Sequence, residues 1–102
     1  MNNLLSSTLG LAMRAGKLVS GDEAVMKAIR SGQAKLVMIA VDAAQNARKK
    51  MNDKCKNYQI PIVEYGTREQ LGGSIGKKER VVIAITDEGF AGLLTKRMEK
   101  PL

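Results

Sequence analysis

The 102-residue chain has no histidine and no tryptophan, one cysteine, and only three aromatic residues. Without histidine it lacks the commonest general base, the Ser-His and Cys-His nucleophile pairs, and most zinc sites. The single Cys55 cannot form an internal disulfide, and it fits a reducing compartment. With only Tyr58, Tyr65 and Phe90 available, the aromatic platforms of RNA-recognition motifs and OB-folds are not expected.

Long apolar runs are also missing. No stretch approaches the ~20 apolar residues of a membrane helix, and the N-terminus lacks the basic and apolar regions of a signal peptide. We therefore expect a cytoplasmic protein that does not enter a membrane. Length indicates one domain, residues 1–102.

Charge is abundant and of unequal sign. Lys and Arg number 17 against 10 Asp and Glu, giving a net charge of +7 and a pI near 9.8. Such a domain attracts polyanions at long range. Charge alone leaves nucleic-acid binding and simple solubility as equal explanations.

Helical and strand patterns alternate along the chain, which predicts an α/β protein whose sheet has helices on both faces. The runs 36–41 and 81–85 are continuously apolar, as in strands buried on both faces. Helices are predicted at 4–14, from Asp22 to Gly32, at 44–58, at 67–71 and after Asp87. Residues 24, 25, 28 and 29 should form one face of the second helix, and residues 44, 47, 51, 55 and 58 should line one face of the third. Short strands are predicted at 17–20 and 62–65.

The second helix begins with an acidic motif, Ser20-Gly-Asp22-Glu23. Its S-x-x-E pattern predicts a capping box, with Ser20 as the N-cap and Glu23 reaching back. Glu23, Lys27 and Arg30 follow at i, i+4 and i+7, so they share one polar stripe. That stripe is either a set of surface ion pairs or a reader of base edges and phosphates.

Two basic segments also allow two interpretations each. The glycine-rich stretch 71–80 fails as a P-loop, because Leu71 replaces a glycine and Lys78 replaces Ser or Thr, so no nucleotide cofactor is expected. It also differs from a KH loop, since a strand follows it. It is either a glycine turn with solvated charges or a basic loop touching RNA backbone. The third predicted helix carries five basic residues that form either a solvated helix face or a non-specific polyanion contact: Arg48, Lys49, Lys50, Lys54 and Lys56.

Several ordered motifs together resemble one family. They are L-G-L-A-M-R-A-G-K-L-V-S-G at 9–21, A-K-L-V at 34–37, L-G at 71–72, I-G at 75–76 and D-E-G-F at 87–90. This set, spanning nearly the whole chain, is similar to the L7Ae/L30e ribosomal protein superfamily, in particular its bacterial YlxQ-like branch. The resemblance implies a three-layer α/β/α sandwich with a small mixed sheet of about four strands.

The resemblance also implies a function. The family binds kink-turn RNA, a bent duplex with tandem sheared G·A pairs beside a bulge. The N-terminus of the second helix enters the widened groove, and the loop before the last strand covers the bulged nucleotides. We thus expect a monomeric, non-catalytic protein whose partner is RNA, either ribosomal or another kink-turn, on or near the ribosome. The predicted RNA-binding residues are Lys17, Gly21, Asp22, Glu23, Lys27, Arg30, Lys35, Gly76, Lys77, Lys78 and Arg80.

Two departures from the archaeal pattern keep a rival open. After the glycine, Asp22-Glu23-Ala24 replaces Thr-Asn-Glu, and the covering loop 77–80 is charged rather than apolar. The rival is a protein-interaction or ribosome-docking module on the same fold with weak, non-specific RNA binding. An enzyme is not expected, because nothing arranges an acid, a base and an oxyanion site.

Overall fold

A computed structural model describes residues 1–99, in which five helices and four strands alternate. No helix in this range is long and apolar enough to cross a bilayer. The elements, in chain order, are α1 (Asn3–Arg14), β1 (Leu18–Ser20), α2 (Asp22–Arg30), β2 (Leu36–Ile39), α3 (Gln45–Asn57), β3 (Ile62–Glu64), α4 (Arg68–Ser74), β4 (Val82–Ile85) and α5 (Glu88–Glu99).

The sheet is mixed, with strand order β1-β4-β2-β3. The central strand β4 pairs antiparallel with both β1 and β2, and β2 pairs parallel with β3. Every residue of β2 and β4 is buried, as their continuous apolar sequence predicts.

The helices form two layers. α1 packs against α4 and α5, whereas α2 packs against α3, so the sheet is covered on both faces. The predicted three-layer α/β/α sandwich with a small mixed sheet is therefore confirmed. Leu9 of α1, Ile29 of α2 and Met51 of α3 are among the fully buried side chains that join these layers to the sheet.

The predicted capping box at Ser20 is wrong. Ser20 belongs to β1, where it pairs with Ile83, and Gly21 is the N-cap of α2 with no side-chain cap bond. Ser20 is the last residue of the strand predicted at 17–20, and pairing with β4 holds it in the sheet rather than at the helix cap. A capping box does exist at α4, where Thr67 accepts from the Gln70 N–H and the Gln70 side chain accepts from the Thr67 N–H.

Three smaller predictions also need correction. On α2, Ala24 is exposed and Met26 is buried, so the apolar face is rotated towards residue 26. On α3, Met51 and Cys55 are buried as expected, but Ala44 and Tyr58 are exposed. Gly72 and Gly73 lie inside α4, so the glycine-rich loop begins only after that helix.

Candidate nucleic-acid interface

The N-terminus of α2 projects from the end of β1 through a glycine in an unusual conformation. Gly21 has φ +94°, a backbone region that L side chains rarely adopt. Its N–H donates to the Val82 carbonyl at 3.0 Å, and its own carbonyl accepts from the Val25 N–H at 3.0 Å. Gly21 thus joins the sheet to the helix, and Asp22 and Glu23 occupy the exposed first turn.

Arg80 flanks this helix end from the segment before β4. Its Nε donates to Ser20 Oγ at 3.1 Å, and its Nη1 donates to the Glu79 carbonyl at 2.8 Å. The hydroxyl that the sequence suggested as a helix cap therefore accepts from an arginine instead. This contact places a guanidinium beside Gly21.

The segment carrying Arg80 is fixed by contacts with α4. The Arg80 N–H donates to the Arg68 carbonyl at 3.0 Å, and Arg68 Nη1 lies 3.7 Å from Glu79 Oε1. Gly76, with φ +79°, makes the turn out of α4. Lys77 and Lys78 follow it and are exposed.

Asp42 in turn anchors Arg68. Its Oδ1 accepts from the Arg68 N–H at 2.9 Å, and its Oδ2 lies 3.5 Å from Arg68 Nε. The bond to this backbone N–H, helped by the nearby guanidinium, lowers the pKa of the Asp42 carboxyl below its usual 3.8. Asp42 is therefore ionised at neutral pH and holds the first turn of α4 to the loop after β2.

A groove of about 370 Å³ opens beside Gly21, between α2, α3 and the segment leading into β4. Its floor is mainly apolar side chains, and its rim carries the charged ones. The lining residues are Gly21, Asp22, Ala47, Met51, Glu79, Arg80, Val81 and Val82. Such a groove can accept a flat apolar group next to a helix N-terminus.

An ion pair bridges α2 and α3 at this rim. Lys50 Nζ lies 2.7 Å from Asp22 Oδ2, and both side chains are about half exposed. Within residues 1–99, Glu23 and Lys27 have no ion-pair partner. The two acids of the first turn therefore differ: Asp22 is neutralised by Lys50, and the Glu23 carboxylate faces solvent.

The structure divides the predicted RNA-binding residues between two places. Four of them meet at the N-terminus of α2, namely Gly21, Asp22, Glu23 and Arg80. Lys27 lies about one turn further along the same helix. The turn at residues 76–78 leads directly into Glu79 and Arg80 at the groove.

The remaining predicted cations lie at the opposite end of the sheet. Lys17 precedes β1, and its carbonyl accepts from the Thr86 N–H; Lys35 precedes β2, and its N–H donates to the Ile85 carbonyl. Arg30 ends α2, about 12 Å along the helix from Asp22. Lys17 and Arg30 are exposed and Lys35 is partly buried, and none of the three lines the groove.

The sequence does not predict the roles of several residues that line this site or contact its lining residues. Lys50 appeared only as part of a basic helix face, because its partner Asp22 is 28 positions away in sequence. The S-x-x-E motif predicts Ser20 as a helix cap, whereas its hydroxyl accepts from Arg80. Ala47 and Met51 were correctly placed on the inner face of α3, but their contribution to a groove depends on how α3 packs against α2.

Comparison with known proteins identifies the chain's relatives. The model of the Ribosomal protein L7Ae/L30e/S12e/Gadd45 family matches residues 4–95. The RNA-binding protein YlxQ of Bacillus subtilis (strain 168) is 50% identical over 91 residues, covering 89% of this chain and 91% of that protein. The large ribosomal subunit protein eL30 of Aeropyrum pernix is 33% identical over 89 residues, covering 85% of this chain and 89% of that protein.

Solved structures agree in fold. A protein with unknown function from Bacillus halodurans C matches with a TM-score of 0.92 and 44% identity, covering 97% of this chain and 100% of that one. The Giardia lamblia 15.5kD RNA binding protein matches with a TM-score of 0.78 at 19% identity, covering 94% and 86%, which shows a shared fold only.

The architecture is that of a class of small α/β/α proteins found among ribosomal components. Within that class, the chain belongs to the Ribosomal protein L7Ae/L30e/S12e/Gadd45 family, in its YlxQ-like branch. Its relatives are named as RNA-binding and ribosomal proteins rather than enzymes, so the prediction of a non-catalytic protein is confirmed.

Proposed function

We propose that this protein is a non-catalytic RNA-binding protein that recognises and stabilises kink-turn RNA. It acts as a cytoplasmic monomer associated with the ribosome. The observation that supports this best is the exposed N-terminus of α2, set at Gly21 beside an apolar groove and flanked by Arg80 and Lys50. Family membership supports the same conclusion, because relatives of this chain are named as RNA-binding and ribosomal proteins.

Glu23 and the adjoining main chain would read the G·A edges. The first N–H groups of a helix have no partner inside it. The Gly21 N–H is already bonded to the Val82 carbonyl, so the main-chain donors offered to base edges begin at Asp22. The Glu23 carboxylate has no ion-pair partner within residues 1–99 and can accept hydrogen bonds from base amino groups. Readout would thus combine main-chain donors with one side-chain acceptor.

Phosphates would meet the cations around this helix end. Lys27 lies one turn beyond Glu23 on the same exposed stripe, and Arg80 lies at the other side of the groove. Lys77 and Lys78 extend the positive rim towards α4. Lys17, Arg30 and Lys35, at the far end of the sheet, would contribute through longer-range attraction or a more distant part of the RNA backbone.

The groove suits a nucleotide that has left the stack. A bulged base offers flat apolar faces, and the groove places Met51 and Val82 next to the polar helix end. The 76–80 segment would cover the bulge. Because a kink-turn samples the bent form as a minor conformer, a protein that binds only that form shifts the population towards it.

The test is binding to a kink-turn duplex labelled for energy transfer across the bend, from about 50 to about 300 mM salt. The control RNA has its G·A pairs changed to Watson–Crick pairs. We expect tight binding that folds the kink, and loss of both on the control. Equal weak binding to both RNAs, falling steeply with salt, would contradict kink-turn recognition and favour the protein-interaction module.

A further inference from the structure

The acids of α2 pose a specific electrostatic problem for a polyanion. Exposed N–H groups at a helix N-terminus favour a phosphate or a polar base edge, but a carboxylate in the same turn repels phosphate. Glu23 has a role in the proposed readout as an acceptor. The Asp22 carboxylate has no role in that readout, and Asp22 lines the groove itself.

Lys50, on helix α3, offsets the negative charge of Asp22. Its ammonium lies 2.7 Å from Asp22 Oδ2, and it sits between Ala47 and Met51, the two α3 residues that line the groove. Its side chain remains about half exposed, so the ammonium is not enclosed by the contact. A lysine has three N–H donors and no acceptor, so one carboxylate leaves donors for a second anion.

We propose that Lys50 is an RNA-site residue with two simultaneous roles, which rests on the function proposed above. It neutralises Asp22, so that the RNA backbone can approach the N-terminus of α2, and it binds a backbone phosphate with its remaining donors. The contact between α2 and α3 is thus part of the RNA-binding surface.

The neighbouring Lys49 provides a matched control. It lies on the same helix, carries the same charge and also has an acidic partner, Asp53, at 3.7 Å. That partner is one turn along α3 itself and does not line the groove, whereas Asp22, the partner of Lys50, belongs to α2 and does. If charge alone mattered, the two lysines would be equivalent.

The experiment is a double-mutant cycle with Lys50→Met, Asp22→Asn and the double variant, alongside Lys49→Met, on the labelled kink-turn duplex. We expect Lys50→Met to weaken binding by about tenfold, and to lower the salt slope by about one phosphate contact. We expect Lys49→Met to change binding by less than about threefold. In the Asp22→Asn background, the loss of RNA affinity caused by Lys50→Met should shrink to about threefold. Without the Asp22 carboxylate, removing Lys50 leaves no uncompensated negative charge beside the RNA.

Three results would separate the possible failures. Equal effects of Lys50→Met and Lys49→Met would overturn the special role of Lys50. An equal loss from Lys50→Met with Asp22 and with Asn at that position would overturn the neutralising role. In both cases, a wild type that still folds the kink and rejects the control RNA leaves the proposed function standing. A wild type that binds both RNAs alike overturns the proposed function, and this inference with it.

Folding can be checked independently. Both side chains of the pair lie at the surface, so all four variants should keep the wild-type circular dichroism spectrum and nearly the same Tm. If Lys50→Met loses its fold, Lys50→Gln takes its place, because it removes the charge and keeps a polar side chain at the same rim.

Discussion

A Cβ atom on Gly72 would lie 2.4 Å from the Cα of Glu79, so α4 and the segment before β4 touch backbone to backbone. No side chain can turn aside to relieve that contact. The Lys77 N–H, which donates to the Gly72 carbonyl at 2.8 Å, closes the same turn. The position of the 77–80 segment, and so of Arg80 at the groove, depends on this glycine.

Gly72→Ala should therefore destabilise the protein by about 1–3 kcal/mol, because the added methyl group forces a backbone shift. It should also weaken RNA binding by displacing Arg80. Gly73→Ala is the control, since a Cβ there meets nothing within 4 Å. In the same helix, that change should stabilise by about 0.5–1 kcal/mol. Urea unfolding measures both, and similar free energies for the two variants would show that the close approach has no importance.

The misplaced capping box gives a second test. Thr67→Ala should destabilise by about 1 kcal/mol, because it removes the acceptor for the Gln70 N–H at the start of α4. Ser20→Ala should cost less than half of that, because Ser20 caps no helix and bonds only a half-buried arginine. A larger loss at Ser20 than at Thr67 would restore the capping assignment made from sequence.

Much of the fold was predictable from local pattern. The apolar runs at 36–41 and 81–85 identified the two central strands, and the last helix begins after Asp87 as predicted, with Asp87 Oδ2 accepting from the Phe90 N–H. Both signals depend on residues close in sequence. The error at Ser20 arose because pairing between β1 and β4 competes with a local cap, and the sequence motif contains no information on that pairing.

The site was predictable only in part, for a similar reason. Residues 21–23 were singled out by a local motif and by family resemblance. The groove, the Lys50–Asp22 pair and the Arg80–Ser20 bond join residues 28 and 60 positions apart in sequence. Such contacts follow from how α3 and the 79–82 segment pack against α2, which helical periodicity does not specify.

Cys55 allows a test of the α3 layer. Burial raises the pKa of its thiol to about 11, so the thiol stays protonated at neutral pH and reacts poorly with disulfide reagents. Its modification in the native protein should follow global unfolding, and it should become fast above the urea midpoint. Asn52→Cys in a Cys55→Ala background places an exposed thiol on the same helix and should react at once. Rapid stoichiometric labelling of native Cys55 would contradict this packing of α3.

Asp42 should make stability depend on pH. Its pKa is lowered in the folded state, mainly by the bond from the Arg68 N–H, so its contribution is present above the unfolded value of 3.8 and is lost as pH falls through the lower folded value. Asp42→Asn should destabilise the protein at neutral pH, and the difference from wild type should disappear in strong acid. A difference in unfolding free energy that persists unchanged well below pH 3.8 would contradict this.

Glu23 and Lys27 should separate specificity from affinity. Glu23→Ala should cost about 1–3 kcal/mol on RNAs with G·A pairs and little on the Watson–Crick control, because it removes an acceptor for base edges. Lys27→Ala should weaken binding to both RNAs and lower the salt slope by about one, because a phosphate contact carries no sequence information. Lys96→Ala, in α5 of the other helix layer, is the control for loss of one charge. If Glu23→Ala and Lys27→Ala weakened binding to all RNAs equally, Glu23 would have no part in specific readout. The acids of α2 would then only stabilise the N-terminus of the helix.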